Sequence, residues 1–139
     1  MKTRLCNDKE QIFCEWRHRW VRLTPEEWVR QQLLHRLVEQ LGYPASLIAV
    51  EVAIKVGEAR KRCDAVVYNR HMLPMMLIEC KAETVELTQK TLDQAITYNR
   101  KLNVPYLLLH NGQQSIVVQL SSDAHSPQIT RTIPAYNLL

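Results

Sequence analysis

Glycine is scarce in this chain of 139 residues, which contains only three, at positions 42, 57 and 112. These positions are too far apart to form the glycine-rich loop that holds phosphates in nucleotide-binding proteins. The four cysteines include no Cys-x-x-Cys pair, so a zinc site is not predicted. The sequence therefore indicates neither a nucleotide-driven motor nor a zinc-dependent domain.

Long apolar runs are also missing. No stretch approaches the ~20 apolar residues that cross a bilayer, and the N-terminus lacks the apolar region of a signal peptide. We therefore expect a cytoplasmic protein without a membrane partner, whose cysteines are free thiols. The length fits one domain, residues 1–139, and the net charge of +4 with a pI near 9.0 mildly favours a polyanionic partner.

A helix is predicted between Thr24 and Gly42. Thr24 suits the N-cap, Pro25 fits the first helical position, and Glu27 completes a capping box with Thr24. Gly42 follows the last apolar residue of the helical pattern and ends it. Residues 47–56 then alternate apolar and polar side chains, which predicts a strand whose apolar residues share one face.

The remaining elements are one helix and four strands, in the order strand, strand, helix, strand, strand. They lie at 63–68, 76–80, 88–102, 106–109 and 115–120. A short basic connection at 57–62 precedes them, and residues 121–139 are expected to form a polar surface tail outside a core of about 12–120. Antiparallel strands followed by a helical crossover predict a mixed β-sheet flanked by helices, with the order α-β-β-β-α-β-β.

Two of these strands carry acids where a buried strand should have none. Asp64 lies in the first of them, and Glu79 ends an otherwise apolar run in the second. Glu79 and Lys81 are two residues apart and point to the same face, while Cys80 points to the other. If the strands pair, Asp64 can join them, and two carboxylates and an ammonium group suit a Mg²⁺ or Mn²⁺ site for phosphodiester hydrolysis. Taken singly, a strand-end Glu-x-Lys is usually a solvated salt pair, and a lone Asp near a turn is usually a cap or turn residue.

The order of elements, with Asp64 and Glu79-x-Lys81 on consecutive strands, resembles the PD-(D/E)xK nuclease superfamily. Over roughly residues 12–120 the chain is similar to the N-terminal nuclease domain of type I restriction enzyme R subunits. The segments that carry this likeness are 23–31, 41–44, 61–68 and 77–82. The sequence departs from the superfamily pattern at Cys63, where a proline commonly precedes the first aspartate.

The resemblance implies a restriction-endonuclease-like fold and a Mg²⁺-dependent DNA endonuclease, with Mn²⁺ as an alternative ion. Asp64, Glu79 and the backbone carbonyl of Cys80 would ligate the ion, and Lys81 would position or activate the attacking water. R subunits continue into a helicase motor, so a separate helicase or restriction-complex subunit is expected as a partner besides DNA. The alternative is a nuclease fold that binds DNA or a partner without cutting.

Four further residues are candidates for accessory roles. Gln94 and Tyr98 share one face of the second helix and are similar to the Q-x-x-x-Y motif of RecB-like nucleases. They would bracket the DNA backbone or hold Lys81, with Gln94 counted among the catalytic residues; solvent contacts are the alternative. Superfamily members often place a glutamate of the first helix near the metal, although the capping box explains Glu27 without catalysis. Glu51 could approach the metal or simply face solvent.

Arg60, Lys61 and Arg62 lead directly into the strand of Asp64. They are well placed to bind DNA phosphates, and a charged turn is the alternative. Residues 16–22 mix tryptophans with arginines, a composition that can stack on bases and hold phosphates. The favoured interpretation of 16–22 is nevertheless a strand or extended arm with packed tryptophans.

Overall fold

The structure contains nine strands and two α-helices in the residues that it describes, 1–120 and 126–139 of a computed structural model. The strands are β1 Thr3–Cys6, β2 Lys9–Cys14, β3 Arg19–Arg22, β4 Ile48–Val56, β5 Ala59–Tyr68, β6 Pro74–Cys80, β7 Tyr106–His110, β8 Ser115–Gln119 and β9 Gln128–Thr130. The helices are α1 Pro25–Leu41 and α2 Gln89–Leu102.

The strands form two sheets. The three-stranded sheet has the order β1-β2-β3, and the six-stranded sheet has the order β4-β5-β6-β7-β8-β9. Neighbouring strands are antiparallel except β6 and β7, which are parallel because α2 crosses between them. The predicted mixed sheet flanked by helices is confirmed, together with the predicted order from α1 to β8.

Both helices begin and end where their capping residues predict. The Thr24 hydroxyl accepts the Glu27 N–H at 3.0 Å, and Gly42 ends α1 with a left-handed φ of +75°. Thr88 caps α2 in the same way, and Asn103 ends it in the left-handed conformation. These local signals fix the two helices along the chain before any tertiary contact is considered.

The two helices cover opposite faces of the six-stranded sheet, because side chains alternate along each strand. The cluster under α1 includes Val29, Leu33, Leu37, Ala65, Val67, Met76 and Ile78. The cluster under α2 includes Leu92, Ala95, Leu102, Val66, Leu77, Leu107 and Leu109. The central strands β6 and β7 are therefore buried on both sides, and any charged side chain on them has to find a partner.

The two faces of strand β4 exchange at Glu51, so that apolar side chains before and after it point to opposite sides of the sheet. Val50 packs against the α1 cluster, whereas Val52 packs against the α2 cluster. Glu51 itself has a φ of +55°, which is uncommon for a residue with a side chain. The predicted single apolar face for residues 47–56 is therefore wrong, because a backbone irregularity at Glu51 exchanges the two faces.

The neighbouring strand β5 changes faces at the same level. Val50 pairs with Ala65 and Val52 with Cys63, so Asp64 lies opposite Glu51 at a gap in the ladder. Ala65 belongs to the α1 cluster and Cys63 to the α2 cluster. Strained or irregular backbone of this kind is concentrated at functional sites.

The predicted basic connection at 57–62 is mostly strand. Val56 pairs with Ala59 across a tight turn of Gly57 and Glu58, so β5 begins at Ala59 and includes the three basic residues. Gly57 makes the short turn feasible because its φ of +59° is a conformation that glycine adopts without steric cost. The hairpin is thus longer than the pattern indicated.

The C-terminal segment belongs to the fold, and its prediction as a surface tail is wrong for residues 128–139. β9 pairs with β8, and Ile133 is buried in the α1 cluster. The Tyr43 hydroxyl donates to the Pro134 carbonyl at 2.9 Å, and the Tyr136 hydroxyl donates to the Tyr68 carbonyl at 3.0 Å. Part of the predicted tail, residues 121–125, lies outside the described residues. Within the described residues, neither helix is long and apolar enough to span a membrane.

Candidate active site

Asp64 lies where β5 and β6 part. Their ladder runs from Tyr68 to Ala65 on β5, and its last pair is Ala65 with Ile78. Beyond that pair the Cys80 N–H donates to the Asp64 carboxylate oxygen Oδ2 at 2.7 Å, so a side chain replaces the backbone as the acceptor. Because of the gap, the Asp64 carboxylate of β5 reaches the main chain at the end of β6.

The main chain of Cys80 faces this gap. The Lys81 N–H donates to the His110 carbonyl at 2.8 Å, so the backbone groups of residue 81 point toward β7. Backbone groups of successive residues in a strand point to opposite sides. The N–H and carbonyl of Cys80 therefore both point toward β5 and Asp64, where the sequence predicted a carbonyl ligand.

The surroundings of Asp64 shift the pKa of its carboxyl in opposite directions. Burial raises the pKa of its carboxyl above the ordinary value, and the charge of Glu79 acts in the same direction. The Cys80 N–H and the charges of Arg30 and Lys81 act against this rise in the pKa. Asp64, Glu79 and Lys81 are thus close enough to influence one another, at one end of two adjacent strands.

Glu79 has a different direct partner from Asp64. Its Oε1 contacts the ammonium of Lys61 on β5, and both side chains are largely buried, with exposures of 15% and 26%. The Lys61 ammonium also lies 5.4 Å from the ring centre of Tyr98 on α2. Glu79 therefore lies on the α2 side of the gap, and its charge is neutralised by Lys61, for which the sequence left phosphate binding and a charged turn as alternatives.

The donors at the gap suit a hard divalent cation. Two carboxylates and a main-chain carbonyl are the oxygen ligands that Mg²⁺ and Mn²⁺ prefer, and water would complete such a shell. Among residues 1–120 and 126–139, no three His, Cys, Asp or Glu side chains are grouped as a metal site. The set at the gap has two such side chains and fits the open, partly hydrated coordination of Mg²⁺.

A second charged group lies on the α1 side of Asp64, and we call it the arginine cluster: Arg17, Arg30, Glu27, Glu51 and Gln31. Glu27 Oε1 is 2.6 Å from a guanidinium nitrogen of Arg17 and 2.6 Å from one of Arg30. Gln31 Nε2 donates to Glu27 Oε2 at 3.0 Å. The capping-box explanation of Glu27 is therefore wrong for its side chain, which is 6% exposed and binds arginines.

The arginine cluster reaches Asp64 through Arg30. A guanidinium nitrogen of Arg30 lies 3.6 Å from Asp64 Oδ1 and 3.4 Å from the Asp64 carbonyl oxygen. Glu51 contacts Arg17 at 3.2 Å, Arg30 at 3.3 Å and Arg62 at 3.6 Å. Arg17 and Arg30 were missed by the sequence interpretation, and the only signal was the three-residue spacing of Glu27 and Arg30 on one helix face.

The charges of the cluster shift one another's ionisation. Burial alone would raise the pKa of Glu27, but hydrogen bonds and charge from Arg30 and Arg17 outweigh it and hold the pKa below its ordinary value. Burial alone would lower the pKa of Arg30, and Glu27 reverses that effect so that the pKa rises. Glu27 is therefore ionised throughout the neutral range.

A cavity of about 540 Å³ opens between β3, α1 and the start of the gap. Its lining includes Arg17, Arg19, Trp20, Arg22, Glu27, Arg30, Glu51, Asp64 and Cys80. Asp64 faces this cavity, whereas Glu79 is not among its lining residues. The cavity is a concave, strongly charged space beside one of the two predicted metal ligands.

Within residues 1–120 and 126–139, neither accessory residue of α2 forms a hydrogen bond with Lys81. The Tyr98 hydroxyl donates to the Arg60 carbonyl, which fixes the ring beside Lys61. Gln94 is exposed, and its side chain forms no hydrogen bond within the described part of the chain. Arg60 and Arg62 are exposed on β5, where they remain available to a ligand.

The order of elements, the two-sided helix packing and the Asp64 and Glu79-x-Lys81 pair on adjacent strands define a restriction-endonuclease-like fold of the PD-(D/E)xK type. The sequence profile described as "Type I restriction enzyme R protein N terminus" matches residues 25–134. The chain belongs to this family.

Solved structures show the same fold. The chain is similar to a fragment assigned as an HsdR subunit of a type I restriction enzyme from Vibrio vulnificus YJ016, with 16% identity, a TM-score of 0.57, and coverage of 81% of this chain and 24% of that one. It is also similar to DrdV in a DrdV–DNA complex, with 17% identity, a TM-score of 0.50, and coverage of 76% and 10%.

A shorter protein is also similar. A protein assigned as a nuclease of the DUF820 group, from Anabaena variabilis ATCC 29413, has 10% identity and a TM-score of 0.51, with coverage of 91% of this chain and 79% of that one. At these identities the likeness concerns the fold. The chain spans about a quarter of the length of the HsdR fragment. Comparison with curated proteins gives no significant match.

Proposed function

We propose that this chain is a Mg²⁺-dependent deoxyribonuclease that hydrolyses phosphodiester bonds in DNA. The observation that carries the proposal is the gap between β5 and β6, where Asp64 replaces the backbone as acceptor for the Cys80 N–H. That replacement brings Asp64 to the main chain of Cys80, and the charges of Glu79 and Lys81 are close enough to act on Asp64. Ordinary sheet structure requires none of these features.

Each residue has a role that follows from its position. Asp64, Glu79 and the Cys80 carbonyl would hold the ion, and a bound Mg²⁺ would polarise the phosphate and lower the pKa of a water. Lys81 lies two residues after Glu79 and would orient the attacking water and offset charge on the phosphate. Arg30 positions Asp64 through its contacts with the carboxylate and the carbonyl. Arg60 and Arg62 would contact phosphates from their exposed positions on β5.

One observation favours a second candidate, a nuclease fold that binds DNA without cutting it. Arg30 and Lys61 already neutralise Asp64 and Glu79. In that case the two carboxylates would only balance the charges of neighbouring cations. Lys81 argues for the enzyme, since a domain that only binds needs no third charge beside the two acids.

The decisive experiment incubates the purified chain with supercoiled and single-stranded DNA in Mg²⁺, Mn²⁺ or EDTA. We expect nicking or degradation with either metal and none in EDTA. Binding of DNA without cleavage in any metal would overturn the enzyme and leave the binding module.

The role of Lys61 can be tested through metal affinity. A divalent ion at Glu79 has to displace the Lys61 ammonium, so Lys61→Met should tighten Mn²⁺ binding by about fivefold, the equivalent of a pair worth ~1 kcal/mol. Calorimetric titration without DNA measures this affinity. Lys55→Met, an exposed lysine of the same hairpin, is the matched control and should change nothing. Weaker Mn²⁺ binding by Lys61→Met would mean that Lys61 does not compete with the ion.

A second part of the proposal concerns the localisation and the partners of the chain. We propose that residues 1–139 act as one nuclease domain in the cytoplasm and work on DNA together with a separate helicase or restriction-complex subunit. The support is the family match, because the family is the N terminus of type I restriction R proteins. Co-purification with a tagged chain would test for that partner.

A further inference from the structure

One face of the three-stranded sheet carries basic, aromatic and uncharged side chains. Arg4 pairs with Gln11, and Gln11 pairs with Arg22, so these three side chains form a row across the sheet. We call this side the basic face: Lys2, Arg4, Cys6, Lys9, Gln11, Phe13, Trp20 and Arg22. Within the strands Thr3–Cys6, Lys9–Cys14 and Arg19–Arg22, this face has no acidic side chain, since Glu10 points to the opposite side.

Direct contacts tie the centre of the basic face together. Arg4 Nε donates to Gln11 Oε1 at 2.7 Å, and the Arg4 guanidinium lies 4.3 Å from the ring centre of Trp20. Phe13 and Trp20 are in contact, with ring centres 5.5 Å apart. The two aromatic rings therefore form one platform with an arginine above it.

The basic face is not part of the hydrophobic core. Lys2, Arg4, Lys9 and Arg22 are exposed, and Phe13 and Trp20 are only partly buried. The opposite face of the same sheet supplies the buried residues, because Ile12 and Cys14 are fully buried. Two aromatic residues on the exposed side are thus free of a packing role that would explain them completely.

The basic face adjoins the candidate active site. β3 is an edge strand, and Trp20 and Arg22 line the same cavity as Arg30 and Asp64. A chain lying on the basic face would pass directly into that cavity. The matched family segment begins at residue 25, so the strands that form this face precede it.

We propose that the basic face binds single-stranded DNA and leads it to the site at Asp64. Exposed cations match the phosphates of the strand. Aromatic rings stack on unpaired bases, whose faces a duplex does not offer. The choice of DNA rests on the proposed function, but the binding itself requires neither metal nor cleavage.

Fluorescence anisotropy with labelled oligothymidine in EDTA tests this surface on the full chain. Arg4→Ala combined with Arg22→Ala should raise the Kd by at least about tenfold and reduce the slope of log K against log salt by about 1.4, or 0.7 for each phosphate contact. Trp20→Leu should raise the Kd by roughly tenfold through lost stacking, with the salt slope unchanged, and Trp20→Phe should bind nearly as the wild type does. The matched control combines Arg36→Ala with Arg70→Ala, two exposed arginines elsewhere, and should leave the Kd within twofold.

Three results would overturn the basic face as a single-strand site. They are equal losses in the arginine pair and its control, an unchanged Kd for a folded Trp20→Leu variant, and tighter binding of duplex than of single-stranded DNA. Circular dichroism establishes that each variant is folded. The proposed function fails separately, through absence of metal-dependent cleavage, and that failure would leave an oligothymidine result intact.

Discussion

Replacing Glu27 by alanine should lower the free energy of unfolding by about 3–5 kcal/mol, the usual cost of leaving buried charge without its partner. Glu27 is 6% exposed and contacts both Arg17 and Arg30, whose side chains are 11% and 9% exposed. Among the described residues, removal of the carboxylate leaves these two guanidinium groups with Glu51 and Asp64 as counter-charges. Urea denaturation of the variant and the wild type measures the difference.

The matched control is the adjacent residue. Glu26→Ala removes an acid from the same first turn of α1, but Glu26 is exposed and should cost no more than about 0.5 kcal/mol. Equal, small losses for both variants would show that the arginine cluster contributes little to stability. A large loss for Glu26→Ala would mean that the charge at the helix N-terminus, rather than the cluster, is responsible.

The Glu27 carboxylate also makes the free energy of unfolding depend on pH. Because the pKa of Glu27 is held below its ordinary value, its ion pairs stabilise the fold fully above the unfolded pKa of about 4.3 and are lost as the pH falls through the folded pKa. The wild type should therefore lose more stability on acidification below about pH 4.3 than Glu27→Gln does. Asp64 has the opposite effect on stability. Because burial raises its pKa, its ionisation destabilises the folded state as the pH rises. Thermal melts between about pH 3 and pH 8 compare the two chains.

Glu79→Gln should reduce DNA cleavage by at least about 1,000-fold, because it removes a charged ligand of the ion that carries most of the rate. DNA binding should stay the same or tighten, since one negative charge near the phosphate is lost. Lys81→Ala should reduce cleavage by about 100-fold or more, because the cation beside the developing charge is absent. Cleavage rates in Mg²⁺ and binding in EDTA separate these effects.

Two further variants serve as comparisons for Glu79→Gln and Lys81→Ala. Glu86→Gln changes an exposed acid in the loop after β6 and should cleave at the wild-type rate. Arg62→Ala should weaken DNA binding and lower its salt dependence while leaving the rate at saturating DNA close to normal. Wild-type cleavage by Glu79→Gln would remove this glutamate from the mechanism.

The main elements, and the placement of Asp64 and Glu79 on adjacent strands, could be predicted because their signals are local. Thr24, Pro25 and Gly42 mark the ends of α1 without reference to the rest of the chain. Glu79 stands out because a charge at the end of an apolar strand has to be satisfied. Adjacent placement of the strands then followed from a short turn between them.

The arginine cluster could not be predicted because it depends on contacts far apart in the chain. Glu27 had a local explanation in the capping box, and only the fold shows that Arg17 and Arg30 hold its side chain. The reversal of β4 at Glu51 has no signal either, since the apolar alternation continues through it and the left-handed φ falls on a glutamate. The C-terminal segment was misjudged for the same reason, because the Tyr43–Pro134 bond joins residues 91 positions apart.

The central claim is that Asp64 and Glu79 hold a divalent ion at the gap between β5 and β6. Thermal melts of the wild type and Asp64→Asn, with and without Mn²⁺ and without DNA, test it most directly. At an Mn²⁺ concentration 100 times the Kd, binding to the folded chain is worth about 2.7 kcal/mol, which should raise the wild-type Tm by roughly 8 °C. Asp64→Asn should show almost no shift, whereas an equal shift in both chains, or none in either, would contradict a metal site at Asp64.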